Sequence, residues 1–160
     1  MNRKLTHTDA AGNPMMVDVS EKKSSLRVAH AQARVWLGPI IVAKLKKDEI
    51  ATKKGPVFHT AVIAGIMAAK KTSDLIPLCH PVGLDDCTID ISVAGAYAVI
   101  KSSASVTART GVEMEALTAA TVAALTIYDM CKAMSHDIRI EEIQLMSKTG
   151  GKKDFIRRQR

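Results

Sequence analysis

The chain has 160 residues, enough for one domain with its own core, but only 3% of them are aromatic, so that core is packed from Val, Ile, Leu, Ala and Met. The formal net charge is +7, yet residues 148–160 hold six basic residues and one acid, which leaves +2 for the body and argues against a basic nucleic-acid-binding face. No run of about eighteen apolar residues is free of charge and the start does not read as a secretory leader, so no membrane span is expected and the protein is expected to be soluble and cytoplasmic.

Residues 1–14 contain Gly12, Pro14 and few apolar positions, which predicts a loose arm. From Arg27 to Leu37, Ala29, Ala31, Ala33, Val35 and Leu37 alternate with polar or bulky residues, the period of a half-buried strand. Pro39 then opens a short helix, predicted to run to about Lys47. Lys53-Lys54-Gly55-Pro56 is a loop, and Val57 to Lys71 has helical spacing. The stretch Leu75 to Pro81 holds Pro77 and Pro81, which pin His80 in a stiff extended turn. Thr88–Val93 and Tyr97–Val106 predict a hairpin turning near Gly95, and Ile138–Met146 a strand with a bulge. Residues 148–160 are expected to be a flexible basic tail on a single domain spanning 1–160. The order of elements predicts an α+β fold, an antiparallel sheet with its helices on one face.

Thr110 to Met134 contains no Pro, has its only Gly at Gly111 and is rich in Ala and Leu, so it predicts a helix of about six turns. Thr110 and Glu113 have capping-box spacing. Glu115, Thr118, Thr121, Asp129 and Lys132 form a polar seam along an otherwise apolar helix. Asp129 and Lys132 can pair. A surface ion pair is the plain alternative, but Ile127, Met130, Cys131 and Met134 around them suggest a lysine of lowered pKa, suited to proton transfer. Glu113 and Glu115 make this helix start poor for phosphate and fit for a ligand carrying N–H donors, such as the edge of guanine; stabilisation of the helix dipole is the competing reading.

Cys79 and His80 invite a metal, but no Cys-x-x-Cys or His-x-x-x-His accompanies them, so no metal site is assigned. The three cysteines lie in unrelated contexts, which fits reduced thiols. Lys53 and Lys54 on their Gly-Pro loop could meet phosphate or be plain surface lysines. Glu115 and Asp129 are separated by fourteen residues of helix, about 21 Å at 1.5 Å per residue. One compact site cannot use both ends, so a site shared between subunits is expected.

These residues carry a resemblance. Leu5-Thr-His, Met16 to Ser20, Lys54-Gly55, Asp74 to Pro81, Thr110 to Thr118 and Tyr128 to Lys132 resemble the motifs of the cyclic pyranopterin monophosphate synthase family, the C proteins of molybdenum-cofactor biosynthesis. The resemblance covers nearly the whole chain. It implies a ferredoxin-like α+β fold and an enzyme that converts 3′,8-cyclo-7,8-dihydro-GTP to cyclic pyranopterin monophosphate with release of pyrophosphate. That cyclised dihydro-GTP comes from a radical S-adenosylmethionine partner. The resemblance also implies a homohexamer, a trimer of dimers with intersubunit sites. It places catalytic roles on Asp129, Lys132 and Lys54, and substrate contacts on Leu78, Cys79, His80, Glu113, Met114 and Glu115. The need for cations beside a departing pyrophosphate suggests that Lys54, with Arg27, binds phosphate, or that Lys54 acts as a second acid/base group. No resident cofactor is implied; a divalent ion carried in with the substrate phosphates is left open. Arg109 stands where members often have Lys, and the tail is basic where others can be acidic. The competing classes are a nucleic-acid-binding module, which would interleave exposed aromatics with basic residues, and a non-catalytic scaffold, which has no use for the Pro-Leu-Cys-His-Pro turn.

Overall fold

The alternation between residues 27 and 37 becomes a strand whose Ala29, Ala31, Ala33 and Val35 are all at most 1% exposed. The computed structural model describes residues 11–158, so most of the expected arm, and the Leu5-Thr-His motif, lie outside the described residues. In chain order the elements are β1 (Ser25–Trp36), α1 (Gly38–Val42), β2 (Leu45–Lys46), β3 (Glu49–Thr52), β4 (Gly55–Pro56) and α2 (Val57–Ala69). They continue with α3 (Thr72–Leu75), β5 (Asp86–Ala94), β6 (Tyr97–Ala108), α4 (Glu113–Cys131), β7 (Arg139–Thr149) and β8 (Phe155–Ile156).

The main sheet has the order β5-β6-β1-β7-β8, with every pairing antiparallel. With α2 between β1 and β5, and α4 between β6 and β7, this is the split βαββαβ plan of a ferredoxin-like α+β fold. Both helices pack on the face that carries the alternating alanines. Small residues let them approach each other closely: Ala61, Gly65 and Ala68 of α2 meet an Ala-rich α4 whose Ala116, Ala119, Ala120 and Ala123 are fully buried. Glycine is required at 65, because a Cβ there would lie 2.7 Å from the Ala119 carbonyl oxygen and also strike Ile89.

Three expectations need correction. The helix predicted from Pro39 to Lys47 ends at Val42; Leu45 turns back at Lys47 and Asp48, both at positive φ, to pair with Ile50 in a small second sheet β2-β3-β4. The predicted capping box does not form. Val112 is the N-cap residue of α4, no side chain caps it, and Glu113 pairs instead with Lys148. Residues 148–158 are not a free tail. Lys148 lies within β7, and Phe155–Ile156 pairs with it as β8. The predicted bulge falls in β7, where register breaks opposite His30/Ala31 and Gln32/Arg34 and Glu142 takes a positive φ.

Candidate active site

The polar residues collect at the two ends of α4. At its C-terminal end, Asp129 is gripped by two lysines from different parts of the chain. Lys132 Nζ lies 2.8 Å from Oδ1, one helical turn on, and Lys54 Nζ lies 2.7 Å from Oδ2, brought in by the turn between β3 and β4. Hydrogen bonds from Lys132 and then Lys54 hold the Asp129 carboxyl down to about 2, so it is ionised at neutral pH. The same bond raises Lys132 above its ordinary value, the opposite of the lowered pKa expected from its apolar neighbours in sequence. Those neighbours, Ile127 and Cys131 among them, point into the core, while Asp129, Lys132 and Lys54 all keep more than half of their side-chain surface in solvent.

At the N-terminal end of α4, a cavity of about 680 Å³ is lined by Leu78, Cys79, His80, Glu113, Met114 and Glu115, all six of them predicted. The stiff turn before Pro81 presents His80, whose Nε2 is 2.8 Å from the Val17 carbonyl oxygen. A carbonyl only accepts, so Nε2 carries a proton and Nδ1 is left for other duty. Burial raises the Glu115 carboxyl above its ordinary value, with the Glu113 charge adding to the effect against the pull of Glu115's own N–H. Burial also raises the Cys79 thiol, helped by Glu115.

Arg27 lines an adjoining cavity of about 220 Å³ together with Lys148 and Glu113; Lys22 and Lys152 line both cavities. Its guanidinium donates to the carbonyls of Ala108 and Arg109, which fixes it at the end of β6. Sequence reasoning missed Lys22, Lys148 and Lys152. The apolar alternation ends at Leu145, so nothing periodic in the sequence carries Lys148 into the strand.

Among the described residues, no group of three or more His, Cys, Asp or Glu is placed to hold a metal ion, and no helix is long and apolar enough to cross a membrane. The aromatics are less scattered than their sequence positions suggest. Trp36 and Tyr97 meet across β1 and β6, with Arg139 and Arg34 over their rings, which occupies faces on which bases would stack.

Fold and site together define an α+β protein with a lysine–carboxylate cluster at one end of α4 and a cavity lined by His80, Glu113 and Glu115 at the other. The chain belongs to the MoaC family, whose model matches residues 16–151. It is 51% identical over 153 residues to the Cyclic pyranopterin monophosphate synthase of Xanthomonas campestris pv. campestris (strain B100), covering 95% of this chain and 93% of that protein. It is 50% identical over 159 residues to Molybdenum cofactor biosynthesis protein 1 of Homo sapiens, which takes in 98% of this chain and 25% of the human protein. Molybdenum cofactor biosynthesis protein 1 of Drosophila melanogaster is 48% identical over 155 residues, 96% of this chain and 27% of that one.

Proposed function

We propose that the chain is a cytoplasmic cyclic pyranopterin monophosphate synthase of molybdenum-cofactor biosynthesis, acting on the cyclised dihydro-GTP made by a radical S-adenosylmethionine enzyme. The observation that carries this reading is the carboxylate of Asp129 held between Lys54 and Lys132. Closing the pyran ring and expelling pyrophosphate demand proton transfers and positive charge beside phosphate. Lys132 is charged in this chain, so it enters as a proton donor or as an electrostatic partner of the developing charge. Ionised Asp129 is an acceptor that orients both lysines. Glu113, Glu115 and His80 take the guanine-derived ring, and Arg27 with Lys22, Lys148 and Lys152 takes the triphosphate. Every proton transfer is assigned to protein side chains, and no resident cofactor is needed; a divalent ion can enter bound to the phosphates.

The two clusters lie about 21 Å apart along α4, and the lysine cluster is half exposed, which supports a site completed by a second subunit. Ile63 and Met67 of α2 and Leu125 of α4 are 53–61% exposed, apolar surface that suits subunit contacts in a trimer of dimers. Incubating the protein with 3′,8-cyclo-7,8-dihydro-GTP, and following pyrophosphate and pterin product by chromatography, tests the reaction. Wild type should turn over and Lys132→Ala should not. Mixing inert Lys132→Ala with inert His80→Ala should restore activity if sites are shared; no rescue would count against sharing.

A further inference from the structure

The small sheet that carries Lys54 shares no ladder with the main sheet. Its position relative to α4 therefore depends on side-chain anchors. One is Ile50, fully buried in the core. The other is Glu49, the first residue of β3, whose side chain is only 18% exposed. Helix α2 begins after Pro56, which has no side-chain acceptor, so its first N–H groups need a cap from elsewhere. Glu49 supplies it. The Phe58 N–H donates to Oε1 at 2.9 Å and the His59 N–H to Oε2 at 3.1 Å, while His59 Nδ1 lies 2.6 Å from Oε2. Its neighbour Ile50 also donates to Oε1, at 2.7 Å.

We propose that Glu49 is a positioning residue for Lys54, capping α2 from the preceding hairpin and so fixing the β3–β4 turn where Lys54 meets Asp129. The turn itself is well closed. Thr52 Oγ1 donates to the Gly55 carbonyl and accepts from the Lys54 N–H, both at 3.1 Å, so the hairpin moves as a unit. Loss of the cap frees its base and carries Lys54 away from Asp129, with Lys132 left as the sole lysine on that carboxylate. Donors to the carboxylate outweigh its burial and hold Glu49 below the ordinary glutamate value, which keeps it an acceptor at neutral pH. A carboxylate at a helix N-terminus also gains from the helix dipole.

Two measurements test this, and only the second rests on the function proposed above. The first is limited lysine acylation of the full chain, read by mass spectrometry as the ratio of modification at Lys54 to that at Lys53. An amine engaged by Asp129 reacts slowly, so Glu49→Ala should raise the ratio several-fold and Glu49→Gln, which keeps an acceptor, should raise it less. An unchanged ratio would overturn the proposal whether or not the protein turns over. The second is turnover. Glu49→Ala should lower kcat by about tenfold with KM within about twofold, and should cost nothing further in a Lys54→Ala background. A full additional loss in that background would show that Glu49 acts through some other residue. Wild type without turnover would sink the proposed function and leave the acylation ratio to decide the role of Glu49.

Discussion

Gly65→Ala sets two effects against each other. Helix propensity alone favours the alanine by about 1 kcal/mol in the middle of α2. Packing opposes it. The new methyl would sit 2.7 Å from the Ala119 carbonyl oxygen and 3.3 Å from Ala123 Cβ, where ordinary contact begins at 3.4 Å. Ile89 can swing aside, but the carbonyl is backbone, so α2 and α4 must part by several tenths of an ångström. Their shared surface is built of alanines too short to refill the gap. Overpacking of this kind costs about 2–3 kcal/mol, which leaves a net loss of about 1–2 kcal/mol once propensity is credited. With a urea dependence of about 2 kcal/mol per molar, the midpoint should fall by about 0.5–1 M. Both proteins must be compared at one concentration, because any association between copies would add to apparent stability. Turnover should fall too, since α2 carries the hairpin of Lys54 and α4 carries Asp129. A midpoint that stays put or rises would refute the close-packing argument.

The other predictions concern the two ends of α4. Asp129 is held at about 2 against an ordinary 3.8, so the stability contributed by its lysine pairs is present above 3.8 and lost as pH falls towards 2. Carboxyl NMR should show that midpoint; one near 3.8 would mean the lysines are not engaged. Long-range nitrogen–proton NMR should find His80 as the Nε2–H tautomer, and His80→Asn, which keeps a polar group near the Nδ1 position, should retain more activity than His80→Gln. The reverse order would remove the role given to Nδ1, because Gln keeps a donor at the Nε2 position that faces Val17. In Gly111→Ala, the added Cβ collides with the Glu113 carboxylate, which must swing away from Lys148. Substrate affinity should weaken by about tenfold if the relocated carboxylate costs one charge-assisted hydrogen bond, while the urea midpoint stays within about 0.3 M.

What could be read in the sequence was local or periodic. β1, β5, β6 and α4 announce themselves through alternation or through Ala and Leu, and the Pro-bounded turn does so through its prolines. The misses come from partners far along the chain. Thr110 and Glu113 satisfy a capping pattern, but a lysine thirty-five residues on took the carboxylate. The helix expected to reach Lys47 stops because Leu45 finds Ile50 and Lys47 and Asp48 adopt left-handed turn conformations. Glu49 carries no local signal, being one more charge after Lys46, Lys47 and Asp48. The clue was Pro56, a helix start with no cap of its own. Lys132 was misjudged because its apolar sequence neighbours face the core while its own amine faces Asp129 and solvent.

The last strand gives the basic terminus a use that needs no binding partner. β8 is two residues long, lies at the margin of the main sheet, and leaves Ile156 76% exposed. Such a rim offers unpaired backbone to any other chain that meets it, and the apolar pair Phe155–Ile156 makes the invitation stronger. Lys152 and Lys153 precede that pair and Arg157 and Arg158 follow it, with the Arg157 guanidinium over the Phe155 ring. Two copies approaching rim to rim must bring these like charges together at short range. The cationic flanks thus act as gatekeepers against edge-to-edge strand pairing at this rim, at little cost to a fold whose body is nearly neutral.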